Sequence, residues 1–457
     1  MQGVTLTIGV FGSILVILLH PIYALAVYIA ALVWYPNYLC VSIGTIDISV
    51  GRLIITVLLF RCLYDARLRS KFVWNRLDTW VAISMVIYVV MFCITRPLLP
   101  AIENRGGFLI DTWFTYIVTR LILTDSKDLI KFIKVVALIL IPLALFGVIE
   151  AVTHWQPFLP LKRFRPWKPV VIGERVEIET GMIGRWGFSR ATGPFSHSIL
   201  FGLCFTMFLP LIWVLRRERD QWGKLAYPFS AITVIGALSS MSSGPWVTAM
   251  AVGFLLMMER YKHWVKQGLV VLAVLCVLAE FASNRPLYHV IISHANPVGG
   301  AGWQRAKLID CAIEDFGKWW LKGYGGQDPG WGRRTGMGHT DLNNEFIMAG
   351  VEYGILGLAA LLAVYTAAVK ATIRSHKLFA SPQLKSWAWS IGVSIIATAI
   401  ASFGVSFFGN TKMIFYLIIG IAGSLNNLQR EILVNQTVSY LHLSEISNLE
   451  NLQGVNV

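Results

Sequence analysis

PVGGAGWQRAKLIDCAIEDFGKWWLKGYGGQDPGWGRRTGMGHTDLNNEFIMAGVEYGILG, residues 297–357, is the stretch around which the chain is organised. It is a long polar segment rich in Arg, Trp, Gly and His, and it leads directly into an apolar helix. If residues 303–320 are helical, four side chains share one face at offsets of four, three and four: Arg305, Ile309, Ala312 and Phe316. We therefore predict that Arg305 packs inward.

The composition is that of a membrane protein. Hydrophobic residues make up 56% of the chain and charged residues 14%, and the mean hydropathy is +0.62, values far from those of a soluble domain. Apolar runs of roughly 16 to 24 residues recur along the chain, and about thirteen of them are able to cross a bilayer as helices. We expect an all-α, polytopic transmembrane bundle over residues 1–430 and a polar cytoplasmic tail over 431–457.

Composition also argues against several other classes. The net charge of +14 does not indicate nucleic acid, because the basic residues are scattered over short loops between apolar segments. Five of the six cysteines fall in or beside apolar segments and only Cys311 lies in a long loop, so we expect neither disulfides nor a metal site. The first residues lack a basic region and a cleavage site, which predicts a retained first helix rather than a signal peptide.

Clusters of Lys and Arg follow every second predicted crossing and mark the cytoplasmic side. They are Arg61, Arg67, Arg69, Lys71 and Arg76, then Lys127, Lys131 and Lys134, then Arg216, Arg217, Arg219 and Lys224, then Arg260, Lys262 and Lys266, and finally Lys370, Arg374 and Lys377.

Two long loops then fall on the opposite face, at about 154–193 and 283–340, and both are rich in basic residues. The basic residues of the first loop are Lys162, Arg163, Arg165, Lys168, Arg175, Arg185 and Arg190, and those of the second are Arg285, Arg305, Lys307, Lys318, Lys322, Arg333 and Arg334. Long loops cross the membrane regardless of their charge, and this accounts for any one of these basic residues as well as a functional role does. Two basic loops together favour an anionic ligand on that face.

The predicted outer helix ends carry further polar groups. The segment GRWGFSRATGPFSHSILFG (184–202) places Arg190 and His197 around a helix start, and Ser243 precedes another start at Pro245. Helix N-termini favour anions, although ordinary capping explains the same residues. After Gly338 the chain offers His339, Asn343 and Asn344, with Asp341 as the predicted N-cap, and then Glu352 between glycines. A carboxylate at that depth should face the protein interior, in a catalytic or a structural role.

Seven tryptophans lie in or beside the two loops: Trp155, Trp167, Trp186, Trp303, Trp319, Trp320 and Trp331. Indole rings stack on sugars, but tryptophan is also enriched at membrane interfaces, so no single sugar contact is assigned.

Three segments resemble the O-antigen ligase and Wzy-type polysaccharide polymerase superfamily of bacterial inner membranes. RATGPFSHSILFG (190–202) is similar to its R-x-x-G-x-F-x-H-P element, and WQRAKLIDCAIEDFGKWWLKGYG (303–325) to its R-x-x-x-W/L helix ending in G-x-G. HTDLNNEFIMAGVEYGILG (339–357) resembles its H-N-x-Y-L-x-x-x-x-E-x-G-x-x-G element. The resemblance covers the order and spacing of these elements and the helix count, over most of the second half of the chain.

The chain departs from the family pattern at two places. The family usually has Ser-Arg-Gly where this chain has Ser242-Ser243-Gly244, so one arginine is missing. Asn343 and Asn344 replace the family's His-Asn pair, and the nearest histidine is His339. The identity of a catalytic base is therefore open.

The resemblance implies a GT-C-like, multi-pass protein of the bacterial inner membrane whose active site faces the periplasm. The implied reaction is inverting glycosyl transfer from an undecaprenyl-pyrophosphate-linked glycan to a glycan acceptor, without metal or other cofactor. The implied partners are these two glycans, the lipid bilayer, and a chain-length regulator or flippase of the same pathway; nucleic acid is not among them.

The residues fit this chemistry. Guanidinium groups stabilise the charge that develops on a departing pyrophosphate, and a histidine can accept the acceptor's proton. We predict Arg190 and Arg305 as catalytic arginines and His339 as the base, with His197 as the second choice. The predicted substrate-binding residues are Arg185, His197, Ser243, Asn343, Asn344, Glu352, Arg333 and Arg334.

Three functions remain open from the sequence. A polymerase of exopolysaccharide or O-antigen repeats is favoured because the first loop is long and basic enough for a second lipid-linked chain. A ligase that moves the finished chain to lipid A core or another acceptor uses the same donor chemistry. A lipid-linked oligosaccharide flippase would need charges in mid-membrane; the nearest are Asp47 with Arg52 and Asp111 with Arg120, which we expect to reach the interface by snorkelling.

Overall fold

A computed structural model describes residues 1–165, 171–172, 175–176, 184–299, 302–336 and 339–427. In these residues the chain is all-α apart from two short antiparallel hairpins, in which Cys40–Ile43 (β1) pairs with Ile46–Ser49 (β2) and Val171–Ile172 (β3) with Arg175–Val176 (β4). The predicted tail, 431–457, lies outside the described residues.

The helices are numbered α1 to α18 in chain order. Their bounds are Gln2–Leu18, Pro21–Trp34, Val50–Tyr64, Ala66–Lys71, Arg76–Thr95, Leu98–Leu109, Thr115–Ile122, Ser126–Thr153, Ser198–Trp213, Trp222–Ser239, Ser243–Met257, Val265–Ala282, Leu287–His294, Gly302–Glu314, Phe316–Trp319, Glu345–Leu378, Pro382–Ser402 and 410–427. A π-helical turn, Ile110–Phe114, joins α6 to α7 without a break, and 3-10 turns cover Leu159–Phe164, Val214–Arg217 and Lys262–Trp264.

Several of these helices have the length and apolarity of membrane spans. Five qualify singly: Arg76–Thr95, Ser126–Thr153, Ser198–Arg217, Glu345–Leu378 and Pro382–Ser402. The bent pair Val270–Ala282 and Leu287–His294 adds a sixth if it is taken as one span, and three apolar helices are shorter. The predicted count of about thirteen spans is therefore larger than the number that meets the length and apolarity test. These spans are typical of a membrane protein.

Helix α9 lies at the centre of the bundle. It packs against α8, α10, α11 and α17, and Phe201, Phe205 and Phe208 on it are completely buried. A helix that is apolar on every face has to be surrounded by other helices or by lipid, and here it is surrounded by helices. Its N-terminus, next to His197, is thereby fixed in the middle of one end of the bundle.

The predicted cytoplasmic clusters meet at one end of the bundle, which we call the basic end. There the Asn75 amide donates to Gly423 O at 3.1 Å, and Lys134 pairs with Asp220 at 2.6 Å. Arg216 pairs with Glu259, also at 2.6 Å. The opposite end, the loop end, carries the two long loops.

Two ion pairs inside the bundle differ from the snorkelling that the sequence suggested. Arg120 is completely buried and donates to Asp78, which is also completely buried, at 2.8 and 3.0 Å. Arg52 donates two bonds to Asp111, at 2.8 and 2.7 Å. Asp111 therefore pairs with Arg52 and not with Arg120, because the π-helical turn faces α3.

Residues 302–336, which we call the lobe, contain two helices where one was predicted. Helix α14 ends at Glu314 and α15 begins at Phe316, because the Asp315 carboxylate turns to accept hydrogen bonds from Trp331 and Arg334 at 2.6 and 2.7 Å. The predicted apolar stripe is correspondingly shifted, and Phe316 is 45% exposed. Leu308, Cys311, Ala312, Trp319 and Trp331 form the lobe core against Val351.

The lobe docks on a break in α16. Gly354 has φ 71° and ψ −174°, which interrupts the helix and frees backbone groups on both sides of the break. The lobe pairs them: Tyr324 N–H donates to Val351 O at 2.6 Å, Gly325 N–H to Glu352 O at 3.0 Å, and Ile355 N–H to Trp320 O at 2.7 Å. The break in the helix is thus what holds the lobe at the loop end.

Candidate functional site

A buried carboxylate fixes the segment that carries Arg190. Glu150, near the end of α8, is completely buried, and its Oε2 accepts the N–H groups of Thr192 at 2.9 Å and Gly193 at 2.8 Å. Gly193 has φ +49°, and a Cβ there would lie 2.9 Å from Phe201, so glycine is required. Arg190 is therefore presented by a backbone tied to a central helix.

Two guanidinium groups of the first loop, those of Arg185 and Arg190, contact the turn between α10 and α11. Arg190 Nη2 donates to Ser242 Oγ at 2.8 Å, and Arg185 Nη1 donates to Met241 O at 3.3 Å. Ser242 is the N-cap residue of α11. Both arginines thus converge on one helix start.

The second loop is tied to the same helix start. Ser243 Oγ lies 2.8 Å from Asn296 Oδ1, lies 3.2 Å from Gly299 O, and accepts the Val298 N–H at 3.3 Å. A Cβ at Gly302 would lie 3.7 Å from the Asn296 amide nitrogen, so α14 starts beside this anchor. Its first turn carries Arg305.

The three arginines are close enough to repel one another. Burial, together with the charges of Arg185 and Arg305, lowers the pKa of Arg190 to about 10. Burial also lowers the pKa of Arg305; Asp341 opposes this shift and Arg185 adds to it. A cluster of like charges is costly without a counterion, which makes it a natural anion site.

His197 faces the same cluster as a neutral side chain. As N-cap of α9 its Nδ1 accepts the Ile199 N–H at 3.1 Å, which leaves the proton on Nε2. Burial lowers the pKa of His197 to about 3, and the charges of Arg190, Lys162 and Arg305 contribute. Its geometry therefore suits a hydrogen-bond donor and not a base.

His339 lies where the lobe returns to α16. Its backbone packs directly on Gly332, where a Cβ would lie 2.8 Å from His339 N. The next residue, Thr340, accepts the Trp331 N–H through its hydroxyl at 2.8 Å and donates its own N–H to Asp328 at 3.3 Å. The position of His339 is thus set by the lobe.

Four predicted site residues carry buried polar atoms that have no hydrogen-bond partner in the described part of the chain. They are Arg190 Nε, Arg305 Nε, His339 Nδ1 and Asn343 Oδ1. Buried polar atoms are nearly always paired in folded proteins, so unpaired ones indicate a bound ligand or water. The two guanidinium Nε atoms donate hydrogen bonds, which is what an anion requires, whereas an unprotonated His339 Nδ1 accepts one.

The other predicted residues have structural partners or lie apart. Arg334 is paired with Asp315 at 2.7 Å and with Glu314, and Arg333 is exposed. Asn344, and not the predicted Asp341, caps α16 by accepting the N–H groups of Phe346 and Ile347. Ser243 anchors the second loop, as described above. Glu352 is half-buried beside the break at Gly354.

The structure gives three residues roles at the site that the sequence did not predict. Glu150 and Ser242 hold the Arg190 segment, and Asp341 offsets the charge of Arg305. Glu150 lies within an apolar helix, and a carboxylate in such a run is itself a signal.

The tryptophans of the two loops fall into two groups. Trp319 and Trp331 are buried in the lobe core, whereas Trp155, Trp186, Trp303 and Trp320 are 59%, 63%, 61% and 44% exposed. Only the exposed group can stack on a sugar ring. Trp167 lies outside the described residues.

The sequence was compared with protein-family models and with curated proteins, and it matches none of them.

Proposed function

We propose that this chain is a membrane glycosyltransferase that uses an undecaprenyl-pyrophosphate-linked glycan as donor and polymerises repeat units of an exopolysaccharide or O-antigen. Its site faces the periplasm of a bacterial inner membrane. The apolar helices support the membrane placement, and the basic clusters at one end support the orientation under the positive-inside rule.

One observation carries the proposal. Arg190 and Arg305 come from two different loops and lie close enough to repel each other, and each has a buried Nε without a partner in the described residues. Guanidinium groups bind phosphate oxygens through two donors at once. A diphosphate between them would neutralise the repulsion and pair the unsatisfied donors.

The proposed transfer requires cationic groups at the leaving pyrophosphate and one acceptor for the hydroxyl proton. The acceptor hydroxyl oxygen attacks the anomeric carbon of the donor, the bond from that carbon to the pyrophosphate oxygen breaks, and the bonding electrons leave with the pyrophosphate. Arg190 and Arg305 stabilise the charge that develops on the departing oxygens, an effect worth about 3–4 kcal/mol per donor at comparable sites.

The hydroxyl proton passes to His339. Its Nδ1 is buried and has no partner in the described residues, so it is free to accept a proton from the attacking hydroxyl. His197, with Nδ1 engaged by Ile199, donates from Nε2 to a substrate oxygen instead. The exposed Trp155, Trp186 and Trp303 offer stacking surfaces for the sugars.

The glycan profile of a deletion strain tests the proposal. A polymerase defect leaves single repeats on their acceptor, whereas a ligase defect strands long chains on the carrier lipid and a flippase defect retains repeats on the cytoplasmic face. The purified full-length protein in liposomes should lengthen a supplied lipid-linked repeat. A normal glycan profile in the deletion strain would overturn the proposal, and so would either of the other two patterns.

A further inference from the structure

A cavity of about 690 Å³ opens at the basic end, on the opposite side of the bundle from the arginine cluster. It lies between the ends of α9, α11 and α16 and the start of α17. Its lining includes Arg216, Arg217, Met257, Glu259, Arg260 and Lys385.

The charge of this cavity is predominantly positive. Arg216 and Arg217 are both paired with Glu259, at 2.6 and 3.4 Å, and Glu259 also accepts a hydrogen bond from Ser386. Arg260 and Lys385 form no ion pair within the part of the chain that the structure describes. One carboxylate therefore faces four permanently cationic side chains, which leaves a net charge suited to a phosphate group.

An apolar track leads from the cavity along the bundle. Met250, Phe254 and Met257 follow one another on α11 at offsets of four and three, and they are 60%, 60% and 66% exposed. Residues at these offsets share one helix face. Met257 also lines the cavity, so the cationic pocket and the exposed apolar face are continuous.

We propose that this cavity binds the phosphate headgroup of an anionic phospholipid, with an acyl chain lying along the α11 track. The positive-inside rule places the basic end at the cytoplasmic leaflet, and basic pockets between helix ends are suited to anionic headgroups. A free phosphate shares the headgroup chemistry, but it gains nothing from the apolar track. This site is independent of the proposed glycosyl transfer.

Lipid binding to the purified full-length protein tests the proposal. Phosphatidylglycerol, phosphatidylethanolamine and glycerol 1-phosphate are titrated separately, and binding is followed by native mass spectrometry and by thermal unfolding. We expect phosphatidylglycerol to bind at least about tenfold more tightly than either of the others, because phosphatidylethanolamine adds an ammonium group that the cationic cavity repels, and glycerol 1-phosphate has no acyl chain to lie along the α11 track.

A triple variant keeps Arg216, the closer partner of Glu259, and removes the other three cationic charges of the cavity: Arg217→Gln is combined with Arg260→Gln and Lys385→Gln. The matched control removes three exposed charges of the basic end away from the cavity, in Arg69→Gln with Lys127→Gln and Lys224→Gln. The first variant should lose about tenfold or more in affinity, and the control should stay within about twofold. Equal losses in both variants, or glycerol 1-phosphate binding as tightly as the lipid, would overturn the proposal.

Discussion

Glu150 Oε2 accepts the Gly193 N–H at 2.8 Å, which joins the end of a long apolar helix to the loop that presents Arg190. The same oxygen accepts the Thr192 N–H at 2.9 Å. A completely buried carboxylate thus holds the backbone of the loop through one of its oxygens. The orientation of Arg190 therefore depends on Gly193, three positions later in the loop, and on Glu150, forty positions earlier in the chain.

Replacing Glu150 separates this positioning role from chemistry. Glu150→Ala leaves two N–H groups unpaired, at about 1–3 kcal/mol each, and should lower both the unfolding temperature and product formation. Glu150→Gln keeps a carbonyl oxygen that can accept the same bonds and should restore most of both. Thermal unfolding and product assays on the two variants check this. If Gln behaves like Ala, the carboxylate acts through its charge and the positioning role is wrong.

The arginine cluster should be indispensable for the proposed transfer. Arg190→Ala and Arg305→Ala each remove a donor to the leaving group, so we expect product to fall about a hundredfold or more at unchanged protein levels. Chain extension of a lipid-linked repeat in liposomes measures it. Arg285→Ala removes an exposed charge from the same long loop and serves as the control. Near-normal product from both cluster variants would remove these residues from the mechanism.

His339 carries the proton in the proposed reaction. We expect His339→Ala to reduce turnover by about tenfold or more, within the usual range for a general base, with little change in donor binding. His294→Ala is the control, because His294 is an exposed histidine of the same loop whose Nδ1 is already engaged by Val290 O at 2.8 Å. Unchanged turnover in His339→Ala assigns the base elsewhere.

The pH dependence of stability should report on His197. Its pKa is lowered to about 3 by burial and by the neighbouring cations, against about 6.5 in an unfolded chain. Below pH 6.5 the unfolded chain takes up a proton that the folded chain refuses, so stability is complete above that pH and is lost towards pH 3. His197→Asn keeps a capping acceptor without titrating.

The fall in unfolding temperature between pH 7.5 and pH 5 should therefore be smaller in His197→Asn than in the original protein. The two proteins are compared in the same detergent at both pH values. An equal fall in the two would mean that His197 accepts a proton in the folded state as easily as in the unfolded one.

The break in α16 requires glycine. At Gly354 the backbone has φ 71°, and a Cβ would lie 2.7 Å from Leu321 O, so Gly354→Ala should cost about 1–3 kcal/mol from the backbone alone. We expect a lower unfolding temperature and faster proteolysis within residues 316–326. Gly253→Ala is the control: this glycine lies inside α11 with open space around it, and alanine there should be neutral or stabilise by up to about 1 kcal/mol.

Local signals allowed much of the helix pattern to be predicted. Pro21 begins α2 and Ser49 caps α3 by accepting the Arg52 N–H, because Pro and capping residues act within a few positions. The N-cap of α16 was placed at Asp341 and lies at Asn344. Both residue types cap well, and the Asn344 amide also donates to Phe403 O at 3.3 Å. That contact joins residues far apart in sequence.

Only part of the candidate site could be predicted, again because some of its contacts join residues that are far apart in sequence. Arg190 and Arg305 stand out as basic residues at helix starts, and their proximity follows from Ser242 and Ser243 binding one loop each. From the sequence, Arg334 is an equally good candidate for binding an anion, but in the structure it forms an ion pair with Asp315. Which arginines form ion pairs within the protein depends on how the lobe folds, and a single sequence carries no local signal for these pairings.

Docking the lobe on the α16 break has a consequence for hydrogen exchange. The N–H groups of Tyr324, Gly325 and Ile355 all bridge the lobe and the helix. None of the three can open alone without leaving its carbonyl partner unsolvated, so their protons should exchange with one common opening free energy. A substrate that binds both Arg305 on the lobe and residues of the bundle would slow hydrogen exchange at all three amides together. Exchange at these amides therefore reports whether the site is occupied.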